Sequence, residues 1–120
     1  MNTATLNAYR LIYDQVGAYI SANLEIDELK LDDYCVIHGV SRRQVQRALK
    51  YRGTTWRSML TSRRVRHGAT LLRETRHSVK DIARRVGYRD PASFSEAFRI
   101  QYGQLPHAYR SYREVHDART

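Results

Sequence analysis

Arg43, Gln46 and Arg47 recur at intervals of three and four within "SRRQVQRALK", residues 41–50, so a helix places them on one side. The planar fork of arginine donates two parallel hydrogen bonds to guanine O6 and N7, and a glutamine amide pairs with adenine N6 and N7. Each good pair adds about 1–3 kcal/mol of discrimination. These three residues are the candidates for direct reading of base edges. Val45, Ala48 and Leu49 fall on the opposite side and form the face that must be buried. Ser41, Arg42, Gln44 and Lys50 lie at the start and flanks of the helix, where a duplex presents phosphates. Thr54, Thr55 and Arg57, at the start of the next helix, are placed for the same contacts.

The charge of the whole chain supports a polyanion partner. The formal net charge of the 120 residues is +9, and it is unevenly distributed: residues 1–38 hold two bases and six acids, residues 39–120 nineteen bases and six acids. Eighteen of the 21 bases are arginine, which suits phosphate and guanine better than lysine does. An anionic membrane is the rival partner on charge alone, but no apolar run approaches the ~20 residues of a membrane span and "MNTATLNAYR" is not ordered like a signal peptide. With Cys35 as the single cysteine, neither a disulfide nor a thiolate metal cluster can form, and Cys35 reads as a small buried residue in a reducing, cytoplasmic setting. The five histidines lack metal-ligand spacing, and no carboxylate pair or Ser/His/Asp set emerges. Neither enzyme activity nor a cofactor is expected.

The elements that must position these residues are all helical. Proline occurs only at 91 and 106, and apolar residues recur at three and four nearly throughout. A first helix is expected over about 5–23, capped by Thr3 or Thr5, and a second over about 30–37. Ser41 starts a third, and Gly53 closes it. Thr54 or Thr55 caps a long helix reaching Glu74, whose apolar face is interrupted by Arg63 and Arg64; both are expected to serve structure by pairing with acids. "SVKD", 78–81, has the spacing of a capping box before a helix over 79–86. Asp90-Pro91 opens the next helix, closed near Tyr102 by Gly103, and Pro106 opens a last one to about Arg113 before a frayed tail. The nine tyrosines fall mostly at core spacings; for Tyr51 and Tyr88 a phosphate contact is the alternative, with a core place favoured.

Two stretches repeat one another. Leu31, Cys35, Gly39, Val45, Ala48 and Leu49 answer to Val79, Ala83, Gly87, Phe94, Ala97 and Phe98, with one extra residue in the second turn. A small residue four before a turn glycine, followed by an apolar-faced helix, is the pattern of a helix-turn-helix unit. Two copies on a basic chain are far more specific than one. Projection of the second copy turns Phe94, Ala97 and Phe98 inward and Ala92, Ser95, Glu96 and Arg99 outward. Ala92, Ser95 and Glu96 are its base-reading candidates, Glu96 as acceptor from cytosine N4 and Ala92 against a thymine methyl. Arg89 and Arg99 are its phosphate candidates. This face has few donors, so the first copy is expected to dominate.

Gly39-Val40-Ser41-Arg42-Arg43 with Gln46-Arg47, Arg64-Val65, "LLRET" at 71–75 and above all "SVKDIARRVGYRDPASFSEAFRIQYGQLPHAYR" resemble the DNA-binding domain of the AraC/XylS family of bacterial transcription regulators, over about residues 6–113. The resemblance implies seven helices forming two helix-turn-helix subdomains, 1–53 and 77–120, joined by a bridging helix over 54–76, with each second helix in a major groove. A bridge of about twenty residues spans ~30 Å, near the ~34 Å of one DNA turn. Three features depart from the family: a segment one residue short between Lys50 and Gly53, Cys35 in place of alanine, and Gly68 in place of alanine, which marks either flexibility or a close helix crossing. The expected function is a stand-alone, sequence-specific regulator of transcription, an activator by resemblance, controlled by abundance or a partner. An architectural or recombination accessory protein is the rival. In a third reading, the acidic first helix and the "EIDE" segment engage RNA polymerase or another regulatory protein.

Overall fold

The structure, a computed structural model, describes the backbone of residues 2–117 and the side chains of residues 2–112. These residues form seven helices and no strand: α1 (Thr3–Ala22), α2 (Leu31–His38), α3 (Arg42–Tyr51), α4 (Trp56–Glu74), α5 (Val79–Arg85), α6 (Pro91–Tyr102) and α7 (Pro106–Asp117). They divide into two compact units, one of Met1–Asn23 with Glu28–Leu60, the other of Leu24–Asp27 with Thr61–Thr120. The division falls within α4, and the short loop Leu24–Asp27 packs with the second unit although it lies between α1 and α2 in sequence.

In the first unit α1 packs on α3. Val16 and Ile20 of the expected apolar stripe are fully buried beside Val45, Ala48 and Leu49. The cap of α1 is one residue earlier than expected: the Asn2 carboxamide accepts from Thr5 N–H at 2.8 Å, because its oxygen reaches the third amide while Thr3 is already helical. Tyr19, Tyr34, His38 and Trp56 form an aromatic cluster, with Tyr34 stacked on His38 at 4.2 Å between centroids. Trp56 donates its indole N–H to Leu29 C=O at 3.3 Å. Cys35 is half-buried rather than buried, beside the charged pair of Asp32 and Arg42. Tyr51 is exposed, its ring edge resting near Tyr9.

The second unit is built on Val65, Ala69 and Leu72 of α4, Ile82 and Ala83 of α5, Val86, Phe94 and Phe98 of α6, and Tyr109 of α7. Gly68 is a close crossing: a Cβ there would lie 2.6 and 2.7 Å from Cε1 and Cζ of Phe94. Arg64 is buried, and its guanidinium donates to the carbonyls of Ile26 and Asp27, under the ring of Tyr88. It thus serves structure as expected, but through backbone carbonyls and not an ion pair. Burial pushes its pKa down, opposed by Tyr88 and Asp27. Only half of the expected capping box forms at α5: Ser78 Oγ accepts from Asp81 N–H at 3.0 Å, while the Asp81 carboxylate takes Arg85 Nε at 3.0 Å and His77 Nδ1 at 3.3 Å. The last helix runs four residues beyond Arg113, so Glu114–Asp117 are helical where a frayed tail is expected; 118–120 lie outside the described residues. Arg110 secures α7 by donating to the carbonyls of Leu72 and Thr75, both at 3.2 Å.

The repeat is visible in hydrogen bonding. Val40 N–H donates to Cys35 C=O at 3.2 Å and Tyr88 N–H to Ala83 C=O at 2.8 Å, so equivalent small residues accept the bond that closes each turn. Both turns need a left-handed glycine, with φ 65° at Gly39 and 98° at Gly87.

Candidate nucleic-acid interface

The reading helix of the first unit is fixed at its start by a reciprocal cap. Ser41 Oγ accepts from Gln44 N–H at 3.0 Å, and Gln44 Oε1 accepts from Ser41 N–H at 2.9 Å. These two phosphate candidates therefore have their acceptor oxygens committed to holding α3, which leaves the hydroxyl proton and the carboxamide N–H groups as donors. Val45, Ala48 and Leu49 anchor the opposite face at 1% exposure or less. Arg43, Gln46 and Arg47 are consequently held together on the exposed side. Among the described residues none of the three has a hydrogen-bond or ion-pair partner, so their donors all face solvent.

The flanking candidates differ in availability. Lys50 and Arg57 are exposed. Thr55 Oγ1 caps α4 by accepting from Ser58 N–H at 3.1 Å, and Thr54 Oγ1 donates to Thr55 C=O at 3.4 Å; of the two expected caps, Thr55 is the one used. Arg42 is paired with Asp32. Arg52, absent from the candidates, lies over the ring of Tyr13 at 4.5 Å and braces α1 against α3.

In the second unit Asp90 accepts from Ala92 N–H at 3.0 Å and Pro91 occupies the first turn, as expected from their types. Phe94 and Phe98 are buried and Ala97 half-buried. Ala92 and Glu96 are exposed, whereas Ser95 is half-covered. Glu96 and Arg99 bind each other in a bidentate pair, at 3.1 and 2.6 Å. The Arg99 hydrogen bond holds the Glu96 carboxyl below its ordinary value, and Glu96 raises Arg99 in turn. Arg89 pairs with Asp27. The donors expected to reach phosphate from this unit are thus already opposed by carboxylates.

The partner acids were missed in the sequence for different reasons. Asp32 is ten residues from Arg42 and Asp27 sixty-two from Arg89, and no local spacing reports such distances. Glu96 and Arg99 stand at i, i+3 on one helix, a spacing that favours pairing and was readable beforehand. Their pairing gives a prediction. Glu96→Gln should tighten binding to every duplex sequence alike and steepen the salt dependence by about one in the logarithmic slope, since it removes one anion and releases Arg99; fluorescence anisotropy at several salt concentrations measures both.

Among the described residues no group of His, Cys, Asp or Glu is arranged to hold a metal, and no helix is long and apolar enough to cross a membrane.

The helix-turn-helix domain family matches residues 34–112. The transcriptional activator NphR of a Rhodococcus species is 33% identical over 96 residues, covering 80% of this chain and 29% of NphR. The C-terminal domain of AraT, a response regulator from Geobacillus stearothermophilus, superimposes with a TM-score of 0.80 at 31% identity over 85% of each chain. The DNA-binding domain of AdpA, solved in complex with a target DNA, gives 0.80 at 26% identity, covering 89% of this chain and 96% of its own. The chain spans about a third of the length of the curated relatives it matches. A doubled glycine turn, seven helices in the same order and these likenesses have one meaning: the chain belongs to the AraC/XylS type of helix-turn-helix domain.

Proposed function

We propose that the chain binds double-stranded DNA in a sequence-specific way and regulates transcription, with α3 in a major groove as the principal reader and α6 as a weaker second. The observation that carries this reading is the solvent-facing set Arg43, Gln46 and Arg47 above a wholly buried Val45, Ala48 and Leu49. Such a set is donor-rich and geometrically fixed, the two properties base readout requires. On α6 the corresponding face carries one acid and one base that neutralise each other. The role of the Rhodococcus relative as a transcriptional activator supports activation as the direction of control, and a soluble, cytoplasmic regulator associated with the nucleoid fits the basic charge.

Selection of bound sequences from a random duplex pool tests the reading. A single motif with one strongly constrained half is the expected result; retention of random duplex with no motif, together with strong bending in a circular-permutation assay, favours the architectural rival. The reading residues are separable by substitution. Arg43→Ala and Arg47→Ala should each weaken binding to the selected site by about 1–3 kcal/mol and relax one base pair, while Arg57→Ala weakens selected and random duplexes equally. Equal losses on both duplexes for all three variants would remove the assignment.

The acidic leading stretch gives less support to a contact with RNA polymerase or another regulatory protein. Two of its acids, Asp27 and Asp32, are engaged by Arg89 and Arg42, which leaves a smaller acidic surface than the charge count suggests.

A further inference from the structure

A cavity of about 580 Å³ opens beside the reading helix, between the start of α2, the outer side of α3 and the start of α4. Trp56, half-buried, supplies the open apolar side chain of its wall, Leu31 and Leu49 being almost fully buried, and Gln46, Lys50 and Arg57 stand among the polar residues lining it. Its volume lies in the range of small-molecule sites, and its surface is mostly apolar although six of its nine lining residues are polar, so carbon stems make up much of the wall.

The lining is more apolar than phosphate binding alone requires. A phosphodiester presents charge and little hydrocarbon, so a duplex satisfies Lys50 and Arg57 without using the indole of Trp56 or the side chain of Leu31. A small organic anion with an aromatic or aliphatic body satisfies both. The body removes the apolar wall from water, and the anionic group meets two cations with no partner among the described residues. Arg42 also lines the cavity but is already neutralised by Asp32, so the attraction belongs to Lys50 and Arg57. The amide end of α4, beginning at Trp56, adds to it.

We infer that this cavity binds a small amphipathic organic anion, whose occupancy excludes DNA because Gln46, Lys50 and Arg57 serve both ligands. The exclusion rests on the proposed DNA reading; binding of the anion does not. A ligand in this position acts on the reading helix directly and needs no separate effector domain.

Trp56 is the one tryptophan of the chain, so its emission reports occupancy locally. The full chain, without DNA, is titrated with 4-phenylbutyrate, with its uncharged counterpart 4-phenylbutan-1-ol and with inorganic phosphate. The expected result is a saturable change in Trp56 emission with the carboxylate, roughly tenfold tighter than with the alcohol, as charge-assisted hydrogen bonds require, and no such change with phosphate. Lys50→Gln with Arg57→Gln, both at exposed positions, should bring the carboxylate down to the affinity of the alcohol and leave the alcohol unchanged. Equal affinity for carboxylate and alcohol in the parent chain, or no saturable change with either, overturns the site. In a second arm the carboxylate should raise the apparent Kd of the selected duplex in proportion to its occupancy. A saturable Trp56 response with no effect on duplex affinity overturns the exclusion but not the site, and a chain that binds no duplex leaves the first arm readable.

Discussion

A Gly87→Ala chain is expected to lose about 3 kcal/mol or more of stability in its second unit and to melt roughly 10–20 °C below the parent, as read by circular dichroism. Two costs combine. Gly87 has φ 98°, a backbone conformation that costs an L residue on the order of 1–3 kcal/mol. A Cβ there would also lie 2.1 Å from the carbonyl oxygen of Leu24 and 2.8 Å from Nε and Cζ of Arg64. Neither neighbour yields cheaply, because the oxygen is backbone and the guanidinium is buried against Ile26 and Asp27. Relief moves the loop away and leaves a buried cation without acceptors. Gly39→Ala is the control: it shares the left-handed backbone but its Cβ meets nothing within 4 Å, so it should pay the conformational cost alone. Equal melting of the two variants would show that the Leu24 contact contributes nothing.

Phe94→Ala should cost about 3–5 kcal/mol, the usual loss for a buried aromatic truncated to a methyl group. The ring is fully buried, with Phe98 at 5.8 Å and Tyr88 at 5.7 Å between centroids. Its edge occupies the space over Gly68, and this coupling makes a sign the critical measurement. In the parent, Gly68→Ala should destabilise, since the ring is confined by Phe98 and Tyr88 and cannot retreat. In the Phe94→Ala background the same change should stabilise by about 0.5–1 kcal/mol, the helix preference of alanine over glycine, because the obstruction is gone. Urea unfolding of the four chains of the cycle measures it, and a Gly68→Ala effect of the same sign in both backgrounds would exclude the crossing as the reason for glycine.

What was legible beforehand depended on how far apart the cooperating residues are. Asp90, Pro91 and Gly103 define α6 by local chemistry, and the helix has those ends. The burial of Val45, Ala48 and Leu49 follows from helical period alone. The i, i+3 pair Glu96–Arg99 was legible and overlooked, and so was the reciprocal cap of Ser41 and Gln44. Asn2 as cap and the helical course of 114–117 were misjudged because end positions depend on which side chain wins a local contest. The pairing of Arg42, Arg89 and Arg64 lies outside sequence reasoning altogether: their partners stand 10, 62 and 38 residues away, and only the folded chain brings them near. The candidate site divides in the same way. Its composition was readable, whereas the neutralisation of Arg42 and Arg89 was not.

The loop Leu24–Asp27 has a consequence for how the chain is dissected. A fragment beginning at Thr61 retains every helix that follows but takes Arg64 away from the Ile26 and Asp27 carbonyls and Arg89 away from the Asp27 carboxylate. During synthesis those acceptors leave the ribosome well before the arginines that need them, so the second unit closes on a segment made earlier and not only on its own length. Modular exchange at the α3–α4 junction therefore transplants an unfinished piece, and a chimera that is to fold must carry its own version of residues 24–27 along with the helices.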